Sequence, residues 1–187
     1  KSRARENHVL YNMLADGEGG KASYELEFPN GGIAFVIGNV IVQSAGTDNA
    51  SMVSYGAEGP RWADNALYLS HNTLLNDHHT GSFLSIAADK FPAMAEVWAI
   101  NNLTIGNGNF YPPAQGRFEG NRSVSKAELI EYGGFPLRLS NLSALRGAVR
   151  LPGSVGDVTL LPNAQFNYPV GTRPLRVSSA LSPGAFQ

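Results

Sequence analysis

Asn30-Gly31-Gly32-Ile33-Ala34-Phe35-Val36-Ile37-Gly38-Asn39-Val40-Ile41 reads as a short apolar strand, a turn at Gly38-Asn39, and the start of a second strand. The phrase recurs. Glu6-Asn7-His8-Val9-Leu10-Tyr11-Asn12-Met13-Leu14 precedes it, and Asn65-Ala66-Leu67-Tyr68-Leu69-Ser70-His71-Asn72-Thr73-Leu74 and Glu96-Val97-Trp98-Ala99-Ile100-Asn101-Asn102-Leu103 follow. Anchored on Asn12, Asn39, Asn72 and Asn102, the periods are 27, 33 and 30 residues. Self-similarity at roughly 20–50 residues marks a solenoid, a propeller or an array.

Helical repeats are excluded, because no copy keeps an apolar period near 3.6. Propeller blades need four strands in about 40–45 residues, more than these periods hold. Short β-branched and aromatic runs bounded by Gly, Asn and Pro fit a parallel β-helix, in which each coil lays its strands on the coil below. The equivalent asparagines then stack as a ladder, each amide bonding to the next; the alternative is that they are ordinary turn residues. The expected fold is all-β, a right-handed parallel β-helix of about four coils over residues 1–110. An irregular C-terminal tail over 111–187 is expected to wrap back along the coils and cover their C-terminal end.

A second strand follows each anchor, in Ser23-Tyr24-Glu25-Leu26-Glu27-Phe28, Ser51-Met52-Val53-Ser54-Tyr55 and Ser82-Phe83-Leu84-Ser85-Ile86. Side chains alternate between the faces of a strand, so the register must turn apolar residues inward in every coil. Columns of Leu26, Val53 and Leu84, and of Phe28, Tyr55 and Ile86, satisfy this. Glu27, Ser54 and Ser85 then form an outward column, with Glu25, Met52 and Phe83 outward beside it. One coil back, Lys1 falls above Glu27. The chain therefore reads as starting in mid-strand, with earlier coils and an N-terminal cap expected upstream, since an open solenoid end exposes apolar side chains and strand edges.

Loops 43–49 and 58–64 are long enough to wall a groove, and place Glu58 and Arg61 on it. In the tail, Ser125-Lys126-Ala127-Glu128 has capping-box spacing and predicts one short helix ending at Gly133-Gly134. Leu137-Arg138-Leu139 and Val158-Thr159-Leu160-Leu161 are strand candidates.

Composition narrows the function. A net charge of −1 offers no basic excess for nucleic acid. No apolar run reaches the ~18 residues of a membrane span. Twenty-one glycines, eleven prolines and only 16% charged residues suit a turn-rich β protein, and the absence of cysteine excludes disulfides.

Lys1-Ser2-Arg3-Ala4, Ala22-Ser23-Tyr24-Glu25-Leu26, Pro29-Asn30-Gly31-Gly32, the Gly38-Asn39 phrase, Ser54-Tyr55-Gly56-Ala57-Glu58-Gly59 and the closing Pro183-Gly184-Ala185-Phe186-Gln187 resemble bacterial right-handed β-helix repeat proteins of the pectate-lyase-like superfamily. The resemblance covers nearly the whole chain. It speaks for the fold more than for an activity, because one fold hosts many functions. Its nearest enzymes are of the chondroitinase-B and alginate-lyase type, which act on acidic glycans by β-elimination. It implies a secreted or periplasmic location. In those enzymes a Lys in a Lys-Ser strand is the base and an Arg on the next coil assists. Lys1-Ser2 matches the Lys-Ser pair, whereas the Arg position falls on Glu27.

Such a lyase removes the proton beside a carboxylate and needs positive charge to hold the enolate that develops. Lys1 serves as base only as the free amine, which neighbouring cations such as Arg3 and Arg5 favour and Glu27 beneath it opposes. The candidate catalytic set is Lys1, Arg3 and Glu27, against the reading that Lys1 and Glu27 form a structural ion pair. Candidate substrate contacts are Glu25, Ser54, Glu58, Arg61 and Phe83, the last because sugars stack on exposed rings. Glu25, Glu27 and Glu58, with Asp16 and Glu18 nearby, suggest Ca²⁺ as an optional cofactor; the alternative is a solvated acidic face. Asp77-His78-His79 reads as a surface turn, because adjacent side chains point apart and no third ligand is spaced to join them. Two functions remain open: a polysaccharide-active protein, lyase or relic, and a non-catalytic cell-surface or carbohydrate-binding solenoid.

Overall fold

The structure is a computed structural model and describes residues 1–93, 95–110, 116–175 and 180–187. Each pass of the chain round the molecule lays one strand in each of three parallel sheets. The first sheet holds β1 (Glu6–Leu10), β4 (Ile33–Ile37), β7 (Ala66–Ser70), β10 (Glu96–Ile100) and β13 (Gly116–Glu119). The second holds β2 (Met13–Ala15), β5 (Val40–Gln43), β8 (Thr73–Asn76), β11 (Leu103–Gly106) and β14 (Arg122–Val124). The third holds β3 (Leu26–Phe28), β6 (Ser51–Tyr55), β9 (Ser82–Ile86) and β12 (Asn109–Phe110). Rungs of three strands thus stack through about three full turns of a parallel β-solenoid.

The repeat runs further than its sequence signal. Beyond Asn109 the phrase fades, yet β13 and β14 form another two-strand rung, and the ladder continues through Asn121 only 19 residues after Asn102. Asn12, Asn39, Asn72 and Asn102 each send their backbone N–H to the Oδ1 of the next rung's asparagine at 2.9 Å. Each Nδ2 reaches the same oxygen at 2.9–3.2 Å.

The residue before each ladder asparagine turns the corner in the left-handed region: Tyr11, Gly38, His71, Asn101 and Gly120, with φ from 51° to 66°. Glycine takes this conformation without strain. Gly38 is required on a second count, since a Cβ there would stand 2.8 Å from the Tyr11 ring.

The expected register of the third sheet is observed. Leu26 pairs with Val53 and Val53 with Leu84, Glu27 with Ser54 and Ser54 with Ser85, Phe28 with Tyr55 and Tyr55 with Ile86. In the first sheet Val9, Val36, Leu69, Ala99 and Phe118 form the inner column. These columns supply the inner core, in which Phe28, Val53, Tyr55, Leu67, Leu69 and Leu84 are fully buried. Each such side chain contributes about 1.5–3 kcal/mol by leaving water.

One part of the expected facing is overturned. Met52 and Phe83, expected on the outer face, are 0% and 2% exposed and belong to the inner cluster. They lie where β6 and β9 leave the preceding corner, and the Phe83 ring packs 5.9 Å from that of Phe110. Burial of two large apolar side chains outweighs strict alternation at the strand ends.

The tail lies along the outer faces of two sheets. Leu137, Leu139, Ala185 and Phe186 pack on Val40, Val42, Leu75, Leu103 and Ile105 of the second sheet. Leu160 packs on Phe35, Ile37, Tyr68 and Ile100 of the first. Polar contacts fasten it from the first rung inward: Tyr11 Oη donates to Asn163 Oδ1 at 2.9 Å, and Thr73 Oγ1 accepts from the Ala185 N–H at 3.0 Å. It therefore sheathes the flanks of these two sheets.

The helix expected over 125–134 is a single 3₁₀ turn, Lys126–Glu128. The capping contact is made, with Glu128 Oε1 accepting the Ser125 N–H at 2.8 Å. The chain then forms a hairpin of β15 (Leu129–Tyr132) and β16 (Phe135–Leu139) about Gly133-Gly134, because Phe135, Leu137 and Leu139 recur at every second position in strand fashion. Shorter hairpins join β17 (Ser154–Val155) to β18 (Val158–Thr159), and β19 (Ala164–Phe166) to β20 (Thr172–Pro174). No helix among the described residues is long and apolar enough to cross a membrane.

Candidate functional site

The third sheet's outer column and the loop after β6 bring most of the sequence-predicted residues together. The Ser2 N–H donates to the Glu27 carbonyl at 2.9 Å, so the segment preceding β1 lies against β3 and carries Lys1 over Glu27. Lys1 Nζ stands 3.0 Å from Glu27 Oε2 and 4.0 Å from Glu58 Oε1. Glu27 is nearly closed off, its side chain 8% exposed, whereas Lys1 is half exposed at 51%.

Arg3 grips Glu58 with both terminal nitrogens. Nη2 donates to Oε1 at 2.8 Å and Nη1 to Oε2. Nη1 also donates to Asn30 Oδ1 at 2.5 Å. Asn30 organises the neighbouring loop as well: its carbonyl accepts the Arg61 N–H at 3.0 Å, and its Nδ2 donates to the Gly59 carbonyl at 3.2 Å. Glu58 is thereby fixed beside Arg3, which holds its carboxyl below the usual range, with Lys1 and Lys90 adding to the effect. Arg5 pairs with Asp64 at 3.2 Å, and Lys90 donates to the Ala57 carbonyl.

The wall so built carries Lys1, Arg3, Arg5, Arg61 and Lys90 against Glu27, Glu58 and Asp64, a surplus of positive charge on a chain whose net charge is −1. Two expected contacts are missing from it. Ser54 is 3% exposed and Phe83 2%, so neither offers a hydroxyl or a ring face to a ligand.

Glu25 leaves the wall altogether. It sits one residue outside β3, in the column of Met52 and Phe83, and its side chain turns toward Asp16. Asp16 is held by Ser44, whose N–H and Oγ each donate to it at 2.8 Å. Glu25 Oε1 is shut from solvent without a hydrogen-bond partner. Burial first, and the Asp16 charge second, push the Glu25 carboxyl up to about 7. Glu25, Glu27 and Glu58 consequently do not converge, and among the described residues no group of three or more His, Asp or Glu side chains is placed to hold a metal ion. Ca²⁺ finds no cage of carboxylates here.

Asp77, His78 and His79 form a turn. Asp77 pairs with Lys126 at 2.5 Å, and His78 Nδ1 lies 2.9 Å from the Thr80 carbonyl oxygen. A cavity of about 370 Å³ beside Asp77 is lined by Asp16, Glu18, Ser44 and Phe135.

His71 is a site residue that the sequence alone did not single out. It is fully buried at the corner before Asn72, with Nδ1 3.0 Å from Ser70 Oγ and Nε2 3.3 Å from Asn101 Nδ2. The amide N–H of Asn101 needs an acceptor, which assigns the lone pair to Nε2 and the proton to Nδ1. Burial pulls the imidazole down to about 4. The signal lay in its spacing, one residue before a ladder asparagine, like Gly38 and Asn101.

Chemically, the wall is an array of cations in which Lys1, Arg3 and Arg5 are bound to carboxylates and Lys90 to a carbonyl, while the Arg61 guanidinium lies over the Trp62 ring. A ligand carboxylate can enter by exchanging with Glu58 on the bidentate Arg3. General base catalysis by Lys1 needs a free amine lone pair, and Glu27 occupies the donor side of that nitrogen. No protein-family model, curated protein or solved structure matches the chain.

Proposed function

We propose that this chain is a non-catalytic carbohydrate-binding solenoid that docks an acidic polysaccharide along the wall of Lys1, Arg3, Arg5, Arg61 and Lys90. One observation carries the reading: the cations are exposed on a regular stacked scaffold, yet Lys1 and Arg3, which elimination chemistry would use, are ion-paired with Glu27 and Glu58. A polyanion with a carboxylate on every sugar meets such a surface through many weak, exchangeable contacts rather than one catalytic clamp. The resemblance to pectate-lyase-like proteins supports the same substrate class and a secreted or periplasmic location.

The test is a panel of alginate, pectate and chondroitin, read by titration calorimetry and by ultraviolet absorbance together. Binding that weakens with salt, without the rise in absorbance that marks an unsaturated uronate, is expected. A rise in absorbance that disappears in Lys1→Ala would establish the lyase instead. No binding to any of the three removes the glycan reading.

A further inference from the structure

Charge is divided unevenly along the chain. Residues 1–128 carry nine Lys and Arg against thirteen Asp and Glu, a balance of −4. Residues 129–187 carry five cations, all arginine, against two acids, a balance of +3. Every Lys and Arg that stands in an ion pair belongs to the first part. Among the described residues, no carboxylate lies within ion-pairing distance of Arg138, Arg146, Arg150 or Arg173. Nor does any Asp or Glu occur at positions 94, 111–115 or 176–179.

Two of these guanidiniums, Arg146 and Arg173, line one cavity of about 570 Å³. Both are oriented by neutral groups. Arg146 Nε donates to the Ser140 carbonyl and Nη2 to the Leu139 carbonyl, each at 3.0 Å. With the Gln165 amide turned so that its oxygen faces the guanidinium, Arg173 Nε and Nη2 donate to Gln165 Oε1 at 2.6 and 2.5 Å. Gln165 is 1% exposed, so it is a fixed support for Arg173. In each arginine one edge is engaged by amide or peptide oxygens, and Nη1 has no acceptor among the described residues. Ser182 closes the same cavity and is buried. Its Oγ accepts the Gly147 N–H at 3.4 Å, and its own proton has no acceptor among the described residues.

Neutral supports fix a cation without discharging it. Two like charges on one cavity repel, and a doubly charged oxyanion relieves that repulsion while its oxygens accept the free Nη1 donors. The volume falls within the roughly 300–1,000 Å³ of small-molecule sites, more than a lone ion fills. Pro174 and Leu175 give it an apolar side. We propose that this cavity binds a small phosphorylated or sulfated molecule, with its anionic group on Arg146, Arg173 and Ser182 and the remainder over Pro174 and Leu175. No residue of the Lys1 wall takes part, so the site is independent of the glycan reading.

Calorimetric titration with inorganic phosphate and with sulfate, in chloride buffer of constant ionic strength, tests the site. At least one of the two should bind at a single site per chain. Arg173→Ala should weaken that binding by about tenfold or more, the scale of a charge-assisted contact. Gln165→Glu keeps both arginines and sets a carboxylate against Arg173, and should weaken it as much. Arg3→Ala, on the wall, should leave it unchanged. Tighter binding of phosphate at pH 8 assigns a phosphate ester, and equal or tighter binding of sulfate assigns a sulfate ester. No heat above the chloride blank up to about 10 mM of either anion, where a millimolar site would be largely filled, overturns the proposal. So does binding that survives Arg173→Ala and Gln165→Glu, or that falls as far in Arg3→Ala. Where one of the two cavity variants loses the wild-type far-ultraviolet circular dichroism, the other decides.

Discussion

Asn39 delivers its backbone N–H and its Nδ2 to a single acceptor, Asn72 Oδ1, at 2.9 and 3.1 Å. Asn72 repeats the arrangement toward Asn102, and its Nδ2 also reaches the Val36 carbonyl at 2.8 Å. Every one of these groups is shut from water. Removing the Asn72 side chain strands the Asn39 N–H, takes one acceptor from the Asn39 amide, which keeps the Val9 carbonyl, and removes a donor from both the Asn102 oxygen and the Val36 carbonyl. Unmet buried polar groups cost about 1–3 kcal/mol each, with partial relaxation among neighbours. Asn72→Ala should therefore lose about 3–5 kcal/mol in urea denaturation. Asn12→Ala, at an exposed rung where water replaces the lost partner, should lose about 1 kcal/mol or less. Equal losses for the two would mean the ladder does not hold the interior together.

His71 makes stability depend on acid. Its folded value, lowered to about 4, lies below the ordinary 6.5, so between those values the unfolded chain binds the extra proton. The stabilisation from its neutral burial is complete above pH 6.5, shrinks as pH falls toward 4, and is flat below. The whole change amounts to about 3 kcal/mol. His71→Asn keeps a residue suited to the left-handed corner, as Asn101 shows one rung on, and removes the titration. Denaturation midpoints of the variant should no longer fall between pH 6.5 and 4. A variant that keeps the wild-type slope would place the proton elsewhere.

Glu25 acts with the opposite sign. Its folded value, raised to about 7 from 4.5, means the folded chain holds the proton more tightly across that interval. The favourable protonated state is fully present below pH 4.5 and its benefit is lost as pH climbs through 7. Because the residue is only half buried, solvent screening reduces the effect to about 1 kcal/mol. Glu25→Gln should gain that much above pH 7 and nothing below 4.5. In the wild type, the rise from Glu25 offsets part of the fall from His71 between 6.5 and 4.5, so Glu25→Gln falls more steeply than the parent, whereas His71→Asn leaves only the shallow opposite slope of Glu25. A Glu25→Gln protein no more stable than wild type above pH 7 would show that its carboxylate finds solvent on ionising.

The solenoid was legible because its determinants are local and repeated. The Asn anchors fix the phase of each coil, and once the phase is known the pairing of Leu26 with Val53 and Leu84 follows from alternation alone. Lys1 over Glu27 came from the same arithmetic. What was hidden depends on shape. The rung at Asn121 arrives after 19 residues, too early for a period near 30. Met52, Phe83 and Glu25 share one column at a corner, where side-chain direction is set by the turn rather than by the pleat. The tail carries no period, and its docking is decided by apolar contacts between residues far apart in sequence, such as Leu160 with Tyr68.

Glu58 decides how strongly the wall attracts a polyanion. It holds both terminal nitrogens of Arg3, and a glycan carboxylate must displace it to reach them. Glu58→Gln removes one negative charge and frees the guanidinium, while Asn30 still orients Arg3 through Nη1. Affinity for an acidic glycan should rise by about two- to fivefold, the small scale expected of a fully exposed charge pair. Arg3→Ala should lower it by a similar factor, and both effects should shrink in high salt. Arg5 and Asp64, paired at 3.2 Å farther along the wall, give the control: Asp64→Asn should strengthen binding less, because that pair is single-bonded and more exposed. Calorimetric titration of the three variants with pectate checks the order Glu58→Gln, Asp64→Asn, wild type, Arg3→Ala. Unchanged affinity in both Glu58→Gln and Arg3→Ala would move the docking face away from this wall, whatever the glycan.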